Sequence, residues 1–186
     1  MKKVIGALIF FIILNGCVTQ KELVHNNECS VLIAPPEDLA LSYKAFYSSS
    51  NFNINQFEDF DKIKNGILMY RWIEGVQGST FMIVDFDKGF NAVKTRENST
   101  EAIIFSLEEK MRLKNILEIL KKESYYQNCV RDHGHASLYI LVIRYNNEKI
   151  IQYYSPMNHP YEIKTSDNNI KLIQDVFEIM DRNYYK

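Results

Sequence analysis

Between Ile67 and Ser106 the chain carries four short runs rich in β-branched and aromatic residues: ILMYRWIE, TFMIVDFD, FNAVKTR and EAIIFS. Residues that turn a backbone separate them, so they read as consecutive antiparallel strands in a meander. Gly75 to Ser79 and Asp87-Lys88-Gly89 supply tight connections, since glycine adopts positive φ at no steric cost. In the second run Met82, Val84 and Phe86 fall on one face, and Phe81, Ile83 and Asp85 on the other. Both faces are thus partly apolar, and one is expected to carry a helix.

The best-marked helix follows at once. Ser106-Leu107-Glu108-Glu109 is a capping box, in which the hydroxyl and the Glu109 carboxylate each satisfy a backbone N–H. Leu113, Ile116, Leu117 and Leu120 then recur at helical spacing, with acids in the first turn and Lys121-Lys122 in the last, giving a helix over about 107–122. Two further strands, Ser137 to Tyr145 and Lys149 to Tyr154, flank Asn146-Asn147-Glu148 as a hairpin. A closing helix is expected from about Asp167 to Arg182, capped by Ser166 or Asp167, with Ile170, Ile173, Val176, Phe177 and Met180 on its apolar face. A shorter helix is expected from Glu37 to Tyr47, and residues 51–64 resist assignment. The fold class is therefore α+β: an antiparallel sheet of about six strands, meander plus hairpin, packed with two main helices.

The N-terminus carries a different kind of information. Lys2 and Lys3 precede eleven apolar residues, Val4 to Leu14, which is the layout of an export signal. A permanent span needs about 20 such residues. Leu14-Asn15-Gly16-Cys17 resembles the lipobox of bacterial lipoproteins, with Asn15 where Ala, Ser or Thr is commoner. The resemblance implies cleavage before Cys17 and acylation of its thiol; several acyl chains hold a protein on a bilayer almost permanently, each buried methylene contributing about 0.8 kcal/mol. Val18, rather than aspartate, after the cysteine implies the outer membrane, facing the periplasm, in a cell with two membranes. The expected organisation is a signal peptide at 1–16, a lipidated tether at 17–36 stiffened by Pro35-Pro36, and a single domain at 37–186. Val31-Leu32-Ile33 would also permit an extra edge strand at Ser30 to Ala34.

Processing removes Lys2 and Lys3 and no acid from a chain of 22 basic and 23 acidic residues, so the mature protein is mildly acidic. Its basic residues are scattered among acids, which excludes a nucleic-acid partner. If Cys17 is acylated, Cys29 and Cys129 remain as a pair in an oxidising compartment and are expected to bridge; two unrelated thiols are the alternative.

Catalytic patterns are scarce. Gly-x-Ser-x-Gly, Ser-x-x-Lys and His-Glu-x-x-His are all absent. Gly75-Val76-Gln77-Gly78-Ser79 lacks the length and the Lys of a phosphate loop and sits where a turn is wanted. The acidic groups Asp85 with Asp87, and Glu58 with Asp59 and Asp61, read as solvated carboxylates. Only Cys129, Asp132, His133 and His135 crowd ligand-type side chains together. His133 and His135, at i and i+2, are weak metal candidates, but further ligands at recognisable spacing are missing and a polar loop before a strand is the favoured reading. No cofactor is expected. The 12 Tyr and 11 Phe include the pairs Tyr125-Tyr126, Tyr153-Tyr154 and Tyr184-Tyr185. One ring of each pair could face solvent, a composition suited to protein binding, but rings that cover sheet edges with their hydroxyls wet are the commoner arrangement.

From about Tyr70 to Met180 the chain also resembles small uncharacterised bacterial envelope proteins: the meander, the Ser-x-x-Glu helix start, Asp132-His133-Gly134 before a strand, then Tyr153-Tyr154-Ser155-Pro156 and a closing helix. Some lipid-anchored proteins of this size are immunity proteins that neutralise incoming toxins. The expected function is a membrane-anchored, non-catalytic envelope lipoprotein that binds another protein, with immunity as one form of it. An assembly factor of the envelope is the first rival, and a hydrolase around Asp132, His133 and His135 the second.

Overall fold

The computed structural model describes residues 22–25, 29–37, 54–75, 79–96, 99–129, 137–156 and 163–184. Among the described residues nine strands form one sheet: β1 (Glu22–His25), β2 (Cys29–Ile33), β3 (Gly66–Ile73), β4 (Ser79–Asp85), β5 (Asn91–Arg96), β6 (Ser99–Ile103), β7 (Glu123–Cys129), β8 (Ser137–Tyr145) and β9 (Glu148–Ser155). Three helices accompany them among the described residues, α1 (Ile54–Phe60), α2 (Leu107–Ile119) and α3 (Asn168–Tyr184). The protein is α+β, and α2 and α3 are its two long helices.

The strands lie in the order β1-β2-β7-β9-β8-β3-β4-β5-β6. The meander β3 to β6 and the hairpin β8–β9 form as expected, and they meet where β3 pairs with β8, from Gly66↔Arg144 to Ile73↔Ser137. Two corrections apply to the sheet. It has nine strands rather than about six, and it is mixed, because β7 runs parallel to β9 over Glu123↔Ile151 to Tyr126↔Tyr154. The parallel pair follows from α2, which joins β6 at one edge to β7 on the far side of β9. Residues 17–36 are also corrected: part of the expected tether supplies β1 and β2, and β2 pairs with β7 from Cys29↔Cys129 to Ile33↔Tyr125. Val31 is fully buried there, so this short apolar run is sheet rather than spacer. The helix expected at 37–47 lies largely outside the described residues.

The turns show why these strands align. Asn146 and Asn147 have φ of 51° and 69°, the left-handed pair that a two-residue hairpin requires and that asparagine tolerates best among side-chain-bearing residues. Gly66 starts β3 where a Cβ would strike the Val84 carbonyl oxygen and lie 2.9 Å from Ile63 Cγ2, so a side chain there would push β3 and β4 apart.

Both faces of the sheet are covered. On one, Ile67, Met69, Met82, Val84, Leu141 and Tyr153 pack with Leu113, Ile116 and Leu117 of α2 and with the Ile170, Ile173, Val176 and Phe177 face of α3. On the other, Leu68, Tyr70, Phe81, Ile83, Ile140 and Val142 pack with Phe60 of α1. Each fully buried aliphatic or aromatic side chain contributes about 1.5 to 3 kcal/mol.

Polar ties set the helices against each other and the sheet. The capping box is present: Glu109 N donates to Ser106 Oγ at 3.2 Å, and Ser106 N donates to Glu109 Oε2 at 2.8 Å. The second Glu109 oxygen accepts from Asn183 Nδ2 at 3.0 Å, so the cap of α2 also holds the end of α3. At the opposite end, Asn169 near the start of α3 accepts from Lys121 N at 2.9 Å and donates to Lys121 O at 3.0 Å and to the Tyr125 hydroxyl at 2.6 Å. The two helices therefore run antiparallel. Asp167 caps α3 by accepting from Ile170 N at 2.9 Å.

Candidate interaction surface

Of the residues singled out from the sequence, Cys29 and Cys129 are brought together as a disulfide between directly opposed positions of β2 and β7, with Cα atoms 4.0 Å apart. Both are buried, and Gln127 Nε2 donates to Cys129 Sγ at 3.2 Å while the Tyr153 hydroxyl donates to Gln127 Oε1 at 2.7 Å. Cys17, Asp132, His133 and His135 lie outside the described residues. Among the described residues no group of three His, Cys, Asp or Glu is placed to hold a metal, and no helix is long and apolar enough to cross a membrane.

The paired tyrosines of β7 and β9 lie against the sheet, and Tyr185 lies outside the described residues. Tyr125 and Tyr153 are fully buried and Tyr154 nearly so, while Tyr126 is half-buried. Rings of β7 and β9 stack in register on both faces of the sheet, Tyr125 on Tyr153 at 5.9 Å and Tyr126 on Tyr154 at 5.6 Å between centroids. Burial pushes the phenols of Tyr125, Tyr153 and Tyr154 well above the usual tyrosine value. Tyr125, Tyr153 and Tyr154 belong to the core.

The exposed apolar side chains lie elsewhere. Ile104 directly follows β6, and Leu107 and Met111 occupy the first turns of α2; they are 84%, 73% and 53% exposed. Leu107 and Met111 are four residues apart and share a helix face that the buried Leu113, Ile116 and Leu117 do not. The offset is visible in the sequence, where Leu107 belongs to the capping-box stretch rather than to the apolar stripe. Ile119, farther along α2, is exposed as well. Beside these residues runs β6, the last strand of the sheet, whose outer edge pairs with no strand among the described residues. An open edge next to an apolar patch is a template for another chain.

At the other end of β6 a cleft of about 450 Å³ opens between the strands and the end of α3. Its basic lining is Arg71, Lys94 and Arg96, its walls include Ile73, Ser99 and Tyr184, and Glu101 stands at its edge. Strand register produces the cluster: Arg71 is opposite Thr80, Thr80 opposite Arg96, and Arg96 opposite Ser99, so one cross-strand row carries two guanidinium groups. Lys94 is two residues before Arg96 and so shares its face. Arg71 is 4% exposed, stacks over the Tyr184 ring at 4.5 Å, and lies 3.7 Å from Asp181 Oδ1. Lys94 Nζ meets Glu101 Oε2 at 2.9 Å and donates to the Tyr184 carbonyl at 3.2 Å, where the negative end of the α3 dipole favours a cation.

A second cleft, of about 470 Å³, lies between the end of α1 and the β4–β5 turn. Its charges are internally matched, Lys62 to Asp59 at 2.7 Å and Lys88 to Asp85 at 3.2 Å, which leaves no net charge to recruit a ligand. No protein-family model matches the chain, no curated protein matches it, and no solved structure matches it.

Proposed function

We propose that this chain is a lipid-anchored, non-catalytic module of the cell envelope that binds another protein through the corner formed by β6 and the first turns of α2. The observation that carries the binding reading is the exposure of Ile104, Leu107 and Met111 beside an open strand edge. A water-facing cluster of this kind costs solubility unless something covers it. The anchoring half of the reading rests on Lys2-Lys3, the apolar run to Leu14 and the Leu14-Asn15-Gly16-Cys17 motif. The Cys29–Cys129 bridge suits the oxidising side of a membrane, where such bonds persist.

Two measurements test the two halves. Mass spectrometry of the native N-terminal peptide should find Cys17 as an acylated first residue; an unmodified peptide beginning at Met1 removes the anchor. A photo-crosslinking side chain placed at Leu107 or Met111 in living cells should capture one protein in stoichiometric amount, and the same group at the exposed Lys171 should not. Equal capture from both positions, or none from Leu107, removes the binding corner.

A further inference from the structure

Away from the binding corner, we infer that Asn65 and Gly66 form a self-catalysed deamidation site whose reacting groups the fold holds apart, so that the reaction belongs to the unfolded chain.

The pair is chemically labile. In Asn-Gly the glycine backbone nitrogen attacks the asparagine side-chain carbon, a cyclic imide forms, and the side-chain amide leaves as ammonia. Water then opens the imide to aspartate, or to isoaspartate, in which the main chain runs through the side-chain carbon. Water is the co-reactant, and nothing is oxidised or reduced. Glycine favours the attack because it has no Cβ to obstruct it and rotates most freely. The other Asn-Gly in the chain, Asn15-Gly16, precedes Cys17 and would be lost with the export signal.

The architecture requires both residues. A Cβ at Gly66 would strike the Val84 carbonyl oxygen and lie 2.9 Å from Ile63 Cγ2. Asn65 links the turns on either side of β3: its Nδ2 donates to Asp87 Oδ1 at 2.8 Å between β4 and β5, and its Oδ1 accepts from Asn146 N at 2.7 Å between β8 and β9. A donor and an acceptor on one short side chain are needed, which the carboxamide supplies.

The same contacts block the reaction. Both ends of the carboxamide are engaged, one with each neighbour of β3. The nucleophile is turned away as well. Phe86 N donates to the Asn65 carbonyl at 3.0 Å, so the backbone of Asn65 faces β4 and, by alternation, the Gly66 N–H faces β8, where Gly66 lies opposite Arg144. The side-chain carbon reaches that nitrogen only after the carboxamide has left both turns.

Either product spoils the site. Aspartate sets a second carboxylate against Asp87 where an amide had donated, and isoaspartate lengthens the main chain by one methylene beside the close fit of Gly66 on β4. Each unfolding thus exposes the chain to a covalent step that refolding does not reverse.

The test follows the peptide containing Asn65 and Gly66 by mass spectrometry, in the full chain at mildly alkaline pH, folded and in urea. Conversion should be at least about tenfold slower in the folded chain, because the reaction tracks the population of open molecules. Asp87→Ala, at an exposed turn position, frees one end of the carboxamide and should raise the folded-state rate severalfold. Asp87→Asn keeps an acceptor oxygen and should restore the parent rate. Urea below the unfolding transition separates release of the side chain from opening of the whole chain: the Asp87→Ala rate should stay flat, whereas a global route climbs with the denaturant. Chain aged in urea and then diluted should refold in lower yield, with the modified peptide concentrated in the misfolded fraction. An amide that survives in urea overturns the site, and equal conversion folded and unfolded overturns the protection. An Asp87→Ala rate equal to the parent's, or one that climbs with urea as global unfolding does, overturns the role of the carboxamide ties. Modified peptide recovered equally from folded and misfolded fractions overturns the damage assigned to the products.

Discussion

At one side of the sheet β2 is fastened to β7 by the Cys29–Cys129 bridge, Val31 is buried beneath it, and Gln127 and Tyr153 satisfy each other behind the sulfurs. At the other side β6 is exposed along most of its length, and three large aliphatic side chains follow it into water. One end of the sheet is thus cross-linked covalently between β2 and β7, and the other carries no such bond among the described residues. The difference is physical: the cross-link constrains the unfolded chain at one end, whereas at the other end hydrogen-bonding groups and apolar side chains face water.

Opening the closed side should produce the largest change. The bridge spans 100 residues of sequence, and closing a loop of that length constrains the unfolded chain by about 4 to 5 kcal/mol in the entropy model. Replacing Cys29 and Cys129 together with Ser should lower stability by an amount approaching this in denaturant titration, and a reductant should do the same to the native chain only. A reductant-insensitive midpoint would show that the two sides do not differ in the way described.

Glu109 tests whether the open side is nevertheless firmly built. Its carboxylate serves the α2 cap and the Asn183 amide at once, so Glu109→Ala should cost about 2 kcal/mol, against about 1 for Ser106→Ala. A double-mutant cycle with Asn183→Ala isolates the tie between the helices. If Glu109→Ala costs no more than Ser106→Ala, α2 is not held at its start and the apolar patch has no fixed shape.

The tyrosines sharpen the closed side further. Burial raises the phenols of Tyr125, Tyr153 and Tyr154, so the folded chain keeps protons that the unfolded chain releases above pH 10. Their contribution is complete below pH 10 and falls as pH rises past it, each ring removing at most about 1.4 kcal/mol per pH unit. Phenolate absorbance should therefore rise short of all 12 tyrosines while the protein is folded and reach the full value only on alkaline unfolding. Complete titration near pH 10 in a folded chain would contradict the burial.

What could be read beforehand follows from how local each signal is. The capping box at Ser106, the Leu113/Ile116/Leu117 stripe and the Asn146-Asn147 turn are decided within a few residues, and each appears where expected. β7 is not legible locally because ESYYQNC interleaves polar residues with aromatic ones, and its partners β2 and β9 lie far away in sequence. β1 has no local strand period and is a strand only through its pairing with β2, which in turn pairs with β7. The cationic cleft was equally non-local: Arg71, Lys94 and Arg96 meet through register across three strands. Cys29 and Cys129 could be paired only by elimination, once Cys17 had been set aside for acylation.

The smallest effect on folding should come from the surface on which the functional reading depends. Leu107 is the first residue of α2 and points into water, so its removal forfeits little buried area. Aspartate at that position would lie beside free backbone N–H groups at the positive end of the helix dipole, which offsets what little packing is lost. Leu107→Asp with Met111→Gln should therefore leave the unfolding midpoint within about 0.5 kcal/mol of the parent, as substitutions at exposed positions usually do. The same pair should abolish partner capture by a crosslinker placed at Ile104. A core role for these side chains predicts the reverse pattern, a loss of stability with capture reduced only in proportion to unfolded protein. Measured together in one variant, the midpoint and the capture yield decide between an apolar patch kept for a partner and one that merely completes the fold.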